Sequence, residues 1–454
     1  MILLWVSGKI RPYSCSEQAL ISKNALRTFK PGVLNRKVDQ MHYSKELTSK
    51  TKVDILMQRL NLVFASLLFM LSGMVWASSP TSAVASLPVP DPSPTLMPAA
   101  PQVNASSYIL MDAASGKVLI EQNSDQRLPP ASLTKMMTAY ITEYEANRGN
   151  LSMNSEVLIS VNAWRTGGSK MFIKEGNRVP LIDLLRGIII QSGNDASIAV
   201  AEHIAGTELA FADIMNQHAK ILGMENSHFR NATGLPDEDH YSSAHDLAIL
   251  AKAIIYDFPE SYALYKEKYF VWNGIKQPNR NRLLWRDSSV DGLKTGHTDA
   301  AGYCLVASAV RDNMRLISVV MGTQSEEARA RETQKLLNYG FRFFESVTPY
   351  KSGQEITQSK IWGGTLEQLK LGVASDLVYT ITRGQQDQVQ LSLEVNPVIQ
   401  APVNMGDVLG TIKVTMDGST LAEQPLVALE PVAEAGFFKR IWDMIVLFFV
   451  QLFS

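Results

Sequence analysis

Short strand patterns stand at both ends of a long helical segment, and this order restricts the chain to few folds. Residues 108–111 and 117–120 alternate as two short strands around a turn. Helical periods follow at residues 132–147, 181–191, 195–205, 208–222 and 244–257. Strand patterns return at residues 292–295, 302–310 and 314–321, before a helix at about 326–345. A sheet that uses both ends of residues 104–350 therefore predicts an α+β domain.

The chain after residue 350 changes to short alternating strands. Examples are residues 377–382, 389–395 and 411–416, the last of which ends in an Asp417-Gly418 turn. We expect residues 351–432 to form a small all-β domain. Because no chemically reactive side chains cluster there, we interpret it as a spacer or stabilising module.

The last segment, residues 436–454, is aromatic and aliphatic with a narrow polar stripe at helical spacing. Its longest uninterrupted apolar run, residues 444–450, is much shorter than the roughly 20 residues that span a bilayer. We therefore predict an amphipathic helix that lies in a membrane surface. A C-terminal core or dimer helix is the alternative.

The N-terminus predicts export. Residues 1–56 hold ten Lys or Arg against four acids and are either an untranslated extension before Met57 or a long charged leader. Residues 57–77 combine positive charge, an apolar run and a small-residue cleavage site, as a signal peptide does, with an alternative cleavage after Ala85. Residues 78–103 are rich in Pro, Ser and Ala, which is typical of a linker.

Charge and cysteine content exclude other functions. With 43 basic and 44 acidic side chains the net charge is −1, so the chain has no electrostatic footprint for a nucleic-acid partner. The two cysteines, Cys15 and Cys304, cannot build a disulfide framework or a cysteine zinc site. Cys304 lies in an apolar strand pattern, which indicates buried packing. Since no phosphate-loop or dinucleotide motif occurs, we expect neither cofactor nor metal.

Three polar strings occur in order and carry the chemistry: Ser132-Leu133-Thr134-Lys135, Ser192-Gly193-Asn194 and Lys294-Thr295-Gly296. Each is weak alone, because Ser152-Met153-Asn154 and Arg165-Thr166-Gly167 imitate two of them. Context separates the strings from their imitations. The first opens a predicted helix, the second lies in a turn between helices, and the third lies on a strand beside a hairpin.

A serine three residues before a lysine suits nucleophilic catalysis, because both side chains then lie on one helix face. Ser132 is a weak nucleophile that needs a neutral base. Lys135 can act as that base if burial and the positive charge of Lys294 lower its pKa. Ser192 would relay a proton toward the departing amine. Gly296 would let a substrate backbone approach the strand closely.

The order and contexts of these strings, with Ser192 60 positions after Ser132, resemble the active-site serine penicillin-recognising enzymes. More narrowly, the chain resembles low-molecular-mass penicillin-binding proteins that are D-alanyl-D-alanine carboxypeptidases. The resemblance implies a β-lactamase/transpeptidase-like domain, then the all-β domain and the C-terminal amphipathic helix. It also implies removal of the terminal D-Ala from peptidoglycan stem pentapeptides, covalent binding of β-lactam antibiotics, and a peripheral location on the periplasmic face of the inner membrane.

The resemblance also implies roles for the remaining residues. Asn194 would bond the peptide amide of the substrate, and backbone N–H groups of Ser132 and His297 would form the oxyanion hole. Lys294 and Thr295 would face the terminal carboxylate of the substrate, which explains a requirement for a free C-terminus. Arg329 would support this carboxylate end, although a solvated arginine on a helix face is the alternative.

Two other functions stay open from the sequence. A β-lactamase would share the nucleophile, but no convincing base glutamate can be located. A non-enzymatic cell-wall binding protein could keep the fold, yet the presence of every catalytic side chain argues against it. A metal cluster is a further interpretation of four side chains, Asp237, Asp239, His240 and His245. Because they lack HExxH spacing, we interpret them as a polar loop that caps a helix.

Overall fold

The computed structural model describes residues 98–453, and the predicted extension (1–56), the signal peptide (57–77) and most of the linker lie outside them. The first part of the described chain contains, in order, β1 (Ser107–Asp112), β2 (Val118–Gln122), α1 (Lys135–Asn147), β3 (Glu156–Leu158), α2 (Val161–Arg165), β4 (Arg178–Pro180), α3 (Leu181–Arg186), α4 (Asn194–Ala205), α5 (Glu208–Leu222), α6 (Ala244–Asp257), α7 (Pro259–Tyr262), β5 (Tyr269–Trp272), β6 (Ile275–Pro278), α8 (Leu283–Arg286), β7 (Val290–Thr298), β8 (Gly302–Arg311), β9 (Met314–Thr323) and α9 (Glu326–Phe343).

A five-stranded antiparallel sheet with the order β2-β1-β9-β8-β7 organises this part. Ile109 of β1 pairs with Val319 of β9, so strands from both ends of the segment share one sheet, as the sequence pattern predicts. Ile109 packs into the core that holds helix α1, whereas Leu110 packs with Leu337 of α9 on the opposite face. Strand β7 is an edge strand, so its outer side is available to pair with an extended peptide.

The helices follow the sequence periodicity closely. Helices α5 and α6 begin and end at the predicted residues, and the side-chain oxygens of Thr207 and Ser243 cap them. The predicted helix at 132–147 starts as the 3₁₀ turn Ala131–Thr134, and the one at 181–191 continues from α3 as the π-helical turn Gly187–Gln191. The sequence did not predict β3 to β6, because strands of three or four residues are too short to show a period.

The second part is all-β, as predicted, and ends in a helix. Its elements are β10 (Phe344–Tyr350), β11 (Glu355–Trp362), β12 (Gln368–Val373), β13 (Leu377–Thr382), β14 (Val389–Val395), β15 (Ile399–Gln400), β16 (Val408–Met416), β17 (Ser419–Ala428) and α10 (Phe437–Phe453). Six strands form a sheet with the order β14-β16-β17-β12-β11-β15, while β10 pairs with β13. Buried Leu369, Leu371 and Leu426 give this sheet its own core.

A buried carboxylate joins the two parts. Asp112, at the end of β1, accepts hydrogen bonds from the hydroxyls of Ser346 and Thr380 on β10 and β13. Its other oxygen accepts from the backbone N–H groups of Ala114 and Ser115. Because Asp112 is fully buried, loss of either set of donors would leave its charge poorly solvated, which favours one fixed arrangement of the parts.

The C-terminal helix α10 contacts the β part through its polar stripe. The Asp443 carboxylate accepts a hydrogen bond from the Gly363 backbone N–H, and Lys439 donates to the Gly364 carbonyl. A neighbouring face exposes large apolar side chains such as Phe438 and Trp442. Among residues 98–453, no helix has the length and apolar character needed to cross a membrane.

Candidate active site

Ser132 lies in the 3₁₀ turn before α1, and Lys135 is the first residue of that helix. The Lys135 Nζ atom is 3.0 Å from Ser132 Oγ and donates a 2.5 Å hydrogen bond to the Thr233 carbonyl. Lys135 is only 1% exposed. This arrangement holds an amine against the hydroxyl in a nearly dry environment, which is the geometry of a nucleophile and its base.

Gly234 brings the Thr233 carbonyl to this lysine. Gly234 has a φ of +80°, and a Cβ atom at this position would overlap the Ala131 carbonyl. Only glycine permits this conformation and this contact at once. The loop can therefore press against the turn that carries Ser132.

Ser192 ends the π-helical turn in the left-handed conformation, with φ 65° and ψ 36°. Its Oγ atom is 2.9 Å from Lys294 Nζ, and this amine also donates to the Thr295 carbonyl. Both side chains are buried. A strained turn thus points a second serine at a second lysine, 102 residues away in sequence.

Gly296 lies against the turn that carries Ser132. A Cβ atom there would lie 2.9 Å from the Pro130 carbonyl oxygen and 3.2 Å from Leu133 Cγ. The glycine therefore lets the Ser132 turn approach β7 closely, and its role in the approach of a substrate backbone stays a prediction.

Asn194 is held by the segment before β4. Its side-chain Nδ2 donates to the Gly167 carbonyl at 2.7 Å, and its backbone N–H donates to the Ser169 carbonyl at 2.7 Å. One of the two N–H donors of the side-chain amide is thus used, and this contact orients the Oδ1 atom as the acceptor that Asn194 offers a ligand. Arg165-Thr166-Gly167, an imitation of the third string, supplies this partner.

Asp195 holds the same segment before β4 through backbone hydrogen bonds. Its buried carboxylate accepts hydrogen bonds from three consecutive backbone N–H groups, those of Met171 (2.8 Å), Phe172 (2.9 Å) and Ile173 (3.3 Å). Gly193 leaves room for this contact, since a Cβ atom there would lie 2.8 Å from Asp195 Oδ1. Asp195 is a positioning residue for the wall opposite β7.

Arg329 and His297 flank the third string. The Arg329 side chain is 5% exposed, and its Nη1 donates to the Gly296 carbonyl at 3.3 Å. The alternative of a solvated arginine is therefore wrong. The His297 ring stacks on Tyr303 with 3.8 Å between ring centroids, which keeps the imidazole beside β8.

The pKa of Lys135 is depressed to about 7. Burial is the main cause, and the positive charge of Arg280 adds to it, while Asp195 and Glu208 act in the opposite direction. Lys294 is itself buried, and its own pKa lies well below its usual value. Burial, Lys135, Arg280 and Arg329 depress the pKa of Lys294.

Sequence reasoning missed Asp195, Thr233 and Arg280. Asp195 directly follows Asn194, so its position in the second string was a signal. Thr233 contributes only a backbone carbonyl, although the stretch that contains it, residues 231–235, matches the pattern of the family that the chain resembles. Arg280 lies between β6 and α8 and acts on Lys135 through its charge, and no pattern in the sequence connects it with the three strings.

The residues considered for a metal cluster have protein partners. His240 is buried, and its Nε2 atom is 2.8 Å from Thr134 Oγ1. His245 Nδ1 lies 3.2 Å from Asp125, and Asp237 lies 3.9 Å from Arg230. Cys304 is fully buried, and burial raises the pKa of its thiol to about 11, so the prediction of packing is confirmed.

The fold and these two serine-lysine pairs define a serine peptidase of the penicillin-binding class. The family model for the S11 peptidases, described as D-alanyl-D-alanine carboxypeptidase, matches residues 95–325, and the model for the penicillin-binding protein 5 C-terminal domain matches residues 344–434. The chain belongs to the D-alanyl-D-alanine carboxypeptidase family.

Individual proteins agree with this assignment. D-alanyl-D-alanine carboxypeptidase DacA of Escherichia coli K12 is 47% identical over 79% of this chain and 91% of its own length. The structure of penicillin binding protein 5 from Haemophilus influenzae is 43% identical, with a TM-score of 0.69 over 74% of this chain and 99% of that one. Penicillin-binding protein D2 from Listeria monocytogenes, in its ampicillin-bound form, is 31% identical, with a TM-score of 0.50 over 53% of this chain and 100% of that one. The predicted serine D,D-carboxypeptidase is therefore confirmed.

We expect Asp195→Asn to lower both stability and activity, because an amide cannot accept three backbone N–H bonds. A charge-assisted hydrogen bond contributes about 1.5–3 kcal/mol, so unfolding should be easier by about that amount and kcat/KM should fall roughly 10- to 100-fold. Denaturant unfolding and D-alanine release measure the two effects. The control is Asp213→Asn on the exposed face of α5, and equal behaviour of the two variants would refute the positioning role.

Proposed function

We propose that the enzyme removes the terminal D-Ala of peptidoglycan stem pentapeptides through an acyl-enzyme on Ser132. The observation that carries this proposal is the 3.0 Å separation between Ser132 Oγ and Lys135 Nζ, with the pKa of Lys135 near 7. Near neutral pH a large fraction of this amine is unprotonated and can accept the hydroxyl proton. Family membership supports the substrate class.

Acylation begins when Lys135 takes the proton of Ser132. The Oγ atom then bonds to the carbonyl carbon of the penultimate D-Ala, and backbone N–H groups of Ser132 and His297 bind the oxygen that becomes negative. As the C–N bond breaks, Ser192 passes its proton to the departing D-alanine amine, and the proton that Lys135 took from Ser132 is returned to Ser192, so that Lys135 is neutral again. Water then attacks the ester carbonyl and Lys135 accepts its proton. Lys135 gives this proton to Ser132 Oγ as the ester C–O bond breaks and the product leaves.

Recognition of the terminal carboxylate falls to Lys294 and Thr295, with Arg329 behind them. In the empty site the pKa of Lys294 is strongly depressed by burial and by neighbouring positive charges. An arriving carboxylate supplies the missing negative charge, so Lys294 becomes protonated as the substrate binds. This coupling favours peptides with a free C-terminus over internal peptide bonds.

Asn194 and Gly296 complete the groove in this proposal. Because Gly167 occupies the Nδ2 atom of Asn194, its Oδ1 accepts the N–H of the substrate amide. Gly296 holds β7 against the Ser132 turn, so the substrate lies between the edge strand and Asn194. Their role is to align the carbonyl carbon with Oγ.

The same serine would react with β-lactam antibiotics. A β-lactam contains a strained amide, and its amine stays tethered after ring opening, so it remains between the ester and incoming water. The ampicillin-bound relative, which shares the fold, supports the binding of penicillins.

We further propose that the enzyme is exported and lies on the periplasmic face of the inner membrane, where it takes part in peptidoglycan maturation and cell shape. Its family acts on the cell wall, which supports export. The polar stripe of α10 is used in contacts with the β part, so its apolar face, with Phe438 87% exposed and Trp442 66% exposed, is free to enter a lipid surface.

We expect Ser132→Ala to abolish both penicillin labelling and D-alanine release, with a loss of roughly a thousandfold or more, because it removes the only atom that can form the ester. Labelling with a fluorescent penicillin and assay with a pentapeptide that ends in D-Ala-D-Ala measure both. The control is Ser152→Ala, within a sequence that imitates the second string. Covalent labelling of the Ser132→Ala variant would refute Ser132 as the nucleophile.

The wild-type kcat/KM should rise with pH through about 7, because only neutral Lys135 is a base and its pKa is about 7. Arg280→Gln removes a positive charge that lowers the pKa of Lys135. Its acid limb should therefore move to higher pH, by less than about one pH unit for an exposed charge. Arg282→Gln, in the same loop, is the control, and an acid limb that moves to lower pH would contradict the electrostatic argument.

We expect the triple variant Phe438→Ser, Trp442→Ser and Phe449→Ser to lose its binding to lipid vesicles. Its release of D-alanine from a pentapeptide should be unchanged. These side chains are exposed, so their replacement removes apolar surface without disturbing the contacts of α10 with the β part. Vesicle flotation measures the effect. The control is Leu391→Ser with Leu393→Ser, two exposed side chains on β14, and comparable loss of binding by the control would exclude α10 as the anchor.

A further inference from the structure

Strand β14 forms one edge of the six-stranded sheet, and the mechanism above makes no use of it. Within residues 98–453 it pairs with β16 only, and this pairing runs from Val389–Met416 to Val395–Gly410 without a bulge. The side of β14 that faces away from β16 is therefore a seven-residue edge with no neighbouring strand in the described chain. We call this side of residues 389–395 the β14 edge.

The backbone of every second residue points out of the β14 edge. The Asn396 N–H donates to the Leu409 carbonyl, so the backbone of Asn396 faces β16. The N–H and C=O groups of an antiparallel strand alternate between its two sides, so those of the odd-numbered residues of β14 point away from β16. These groups can form a ladder of hydrogen bonds with one further strand.

The apolar core of the β part continues onto β14 and is left uncovered there. Leu391 lies opposite Val414, and Leu393 lies opposite Ile412, so these four side chains share one face of the sheet. Val414 and Ile412 are fully buried, whereas Leu391 and Leu393 are 45% and 42% exposed. An added strand would cover apolar surface that is contiguous with the core.

The β14 edge lacks the features that usually protect an edge strand. It contains no proline, lysine or bulge, and Glu394 is its only charged residue. The opposite edge of the same sheet is protected, because β15 (Ile399–Gln400) has only two residues and lies between Pro397 and Pro402. The difference between the two edges indicates that β14 is kept open for pairing.

The sequence of β14, Val-Gln-Leu-Ser-Leu-Glu-Val, is nearly symmetric about Ser392. If a second copy pairs with it antiparallel about Ser392, each Leu391 lies opposite Leu393 of the other copy, and each Gln390 lies opposite Glu394. The first pair is apolar, and in the second an amide can donate to a carboxylate. An axis at Glu394 would instead place two carboxylates opposite each other. Side-chain complementarity therefore favours a second copy of this chain, in one register.

We propose that the β14 edge is a homodimer interface, in which two copies pair their β14 strands antiparallel about Ser392 and join their six-stranded sheets into one. This pairing would form about eight backbone hydrogen bonds, and the leucines of each copy would cover those of the other. Because the contact consists of one strand edge with few side chains, we expect a Kd in the micromolar range. The inference goes beyond the proposed function and does not depend on it.

Single cysteines test the register. In the proposed ladder the even-numbered residues form the closely spaced pairs, whose Cα atoms are about 4.5 Å apart, which is within the range of a disulfide. Under mild oxidation Ser392→Cys should therefore cross-link to itself at least about tenfold faster than Ser419→Cys, an exposed control on β17, because pairing raises the effective thiol concentration. Equal rates would overturn the proposal. Cys304 is buried, and the unsubstituted protein gives the background.

Two further cysteines distinguish this pairing from random encounters. Gln390→Cys and Glu394→Cys should each fail to cross-link to themselves, because identical residues lie four positions apart along the ladder, about 13 Å. A mixture of the two variants should form the mixed disulfide about as fast as Ser392→Cys forms its own. A mixture that reacts no faster than either variant alone would overturn the proposal.

Sedimentation of the full-length protein in detergent measures the association itself. Wild type should form dimers as its concentration rises, whereas Leu393→Lys should raise the Kd about tenfold or more, because it places a charge within the contact. The control is Met405→Lys, which changes an exposed side chain in the loop before β16. Circular dichroism checks folding. Equal Kd values for the two variants overturn the proposal, and so does a monomeric wild type, which would leave the β14 edge to a strand of another protein.

Association through the exposed apolar side chains of α10 gives a different result. The triple variant Phe438→Ser, Trp442→Ser and Phe449→Ser should dimerise as wild type does, and a monomeric triple variant would overturn the proposal. Leu393→Lys, like the variant with Leu391→Ser and Leu393→Ser, keeps α10, so its monomers should still bind vesicles. Release of D-alanine, measured separately, tests the proposed function alone, because β14 contains none of the active-site residues.

Discussion

The structure depends on the burial of two lysines in one site. Lys135 and Lys294 are 1% and 3% exposed, and neither forms an ion pair within residues 98–453. Removal from water penalises the charged form, so burial depresses the pKa of both amines. A cluster of amines without an ion-pair partner is costly to fold, yet it supplies the neutral base that we propose for Ser132 and the site that we propose for the anionic C-terminus of the substrate. Burial of the two amines thus lowers the stability of the fold but tunes their pKa values for the reaction.

Close contacts between separate elements maintain this arrangement. Gly234 and Gly296 lie where a side chain would collide with the Ser132 turn, and Gly193 makes room for the Asp195 carboxylate. Asp195 then holds the segment that contains Met171 to Ile173, and through it the carbonyl that orients Asn194. The site is therefore rigid because backbone atoms, rather than long side chains, fill the spaces between its walls.

Polar contacts also connect the catalytic sheet to the β part and the β part to α10. Asp112 accepts hydrogen bonds from Ser346 and Thr380, which connects the central sheet to the β part. The β part in turn receives the polar stripe of α10 at Gly363 and Gly364. A chain of buried or half-buried polar contacts thus links the catalytic sheet to the apolar face proposed to meet the membrane. These contacts favour a fixed orientation of the groove relative to that surface.

The sequence by itself determined the α+β class, the all-β part, the long helices and the positions of the three polar strings, because periodicity and short motifs are local properties of the chain. It predicted Glu208–Leu222 and Ala244–Asp257 to the residue. Only the tertiary structure decided that Arg280 contributes a charge that lowers the pKa of Lys135, and that Gly296 faces the Ser132 turn. Burial, through-space charge and close packing depend on distances between residues far apart in the chain, and no local pattern encodes those distances.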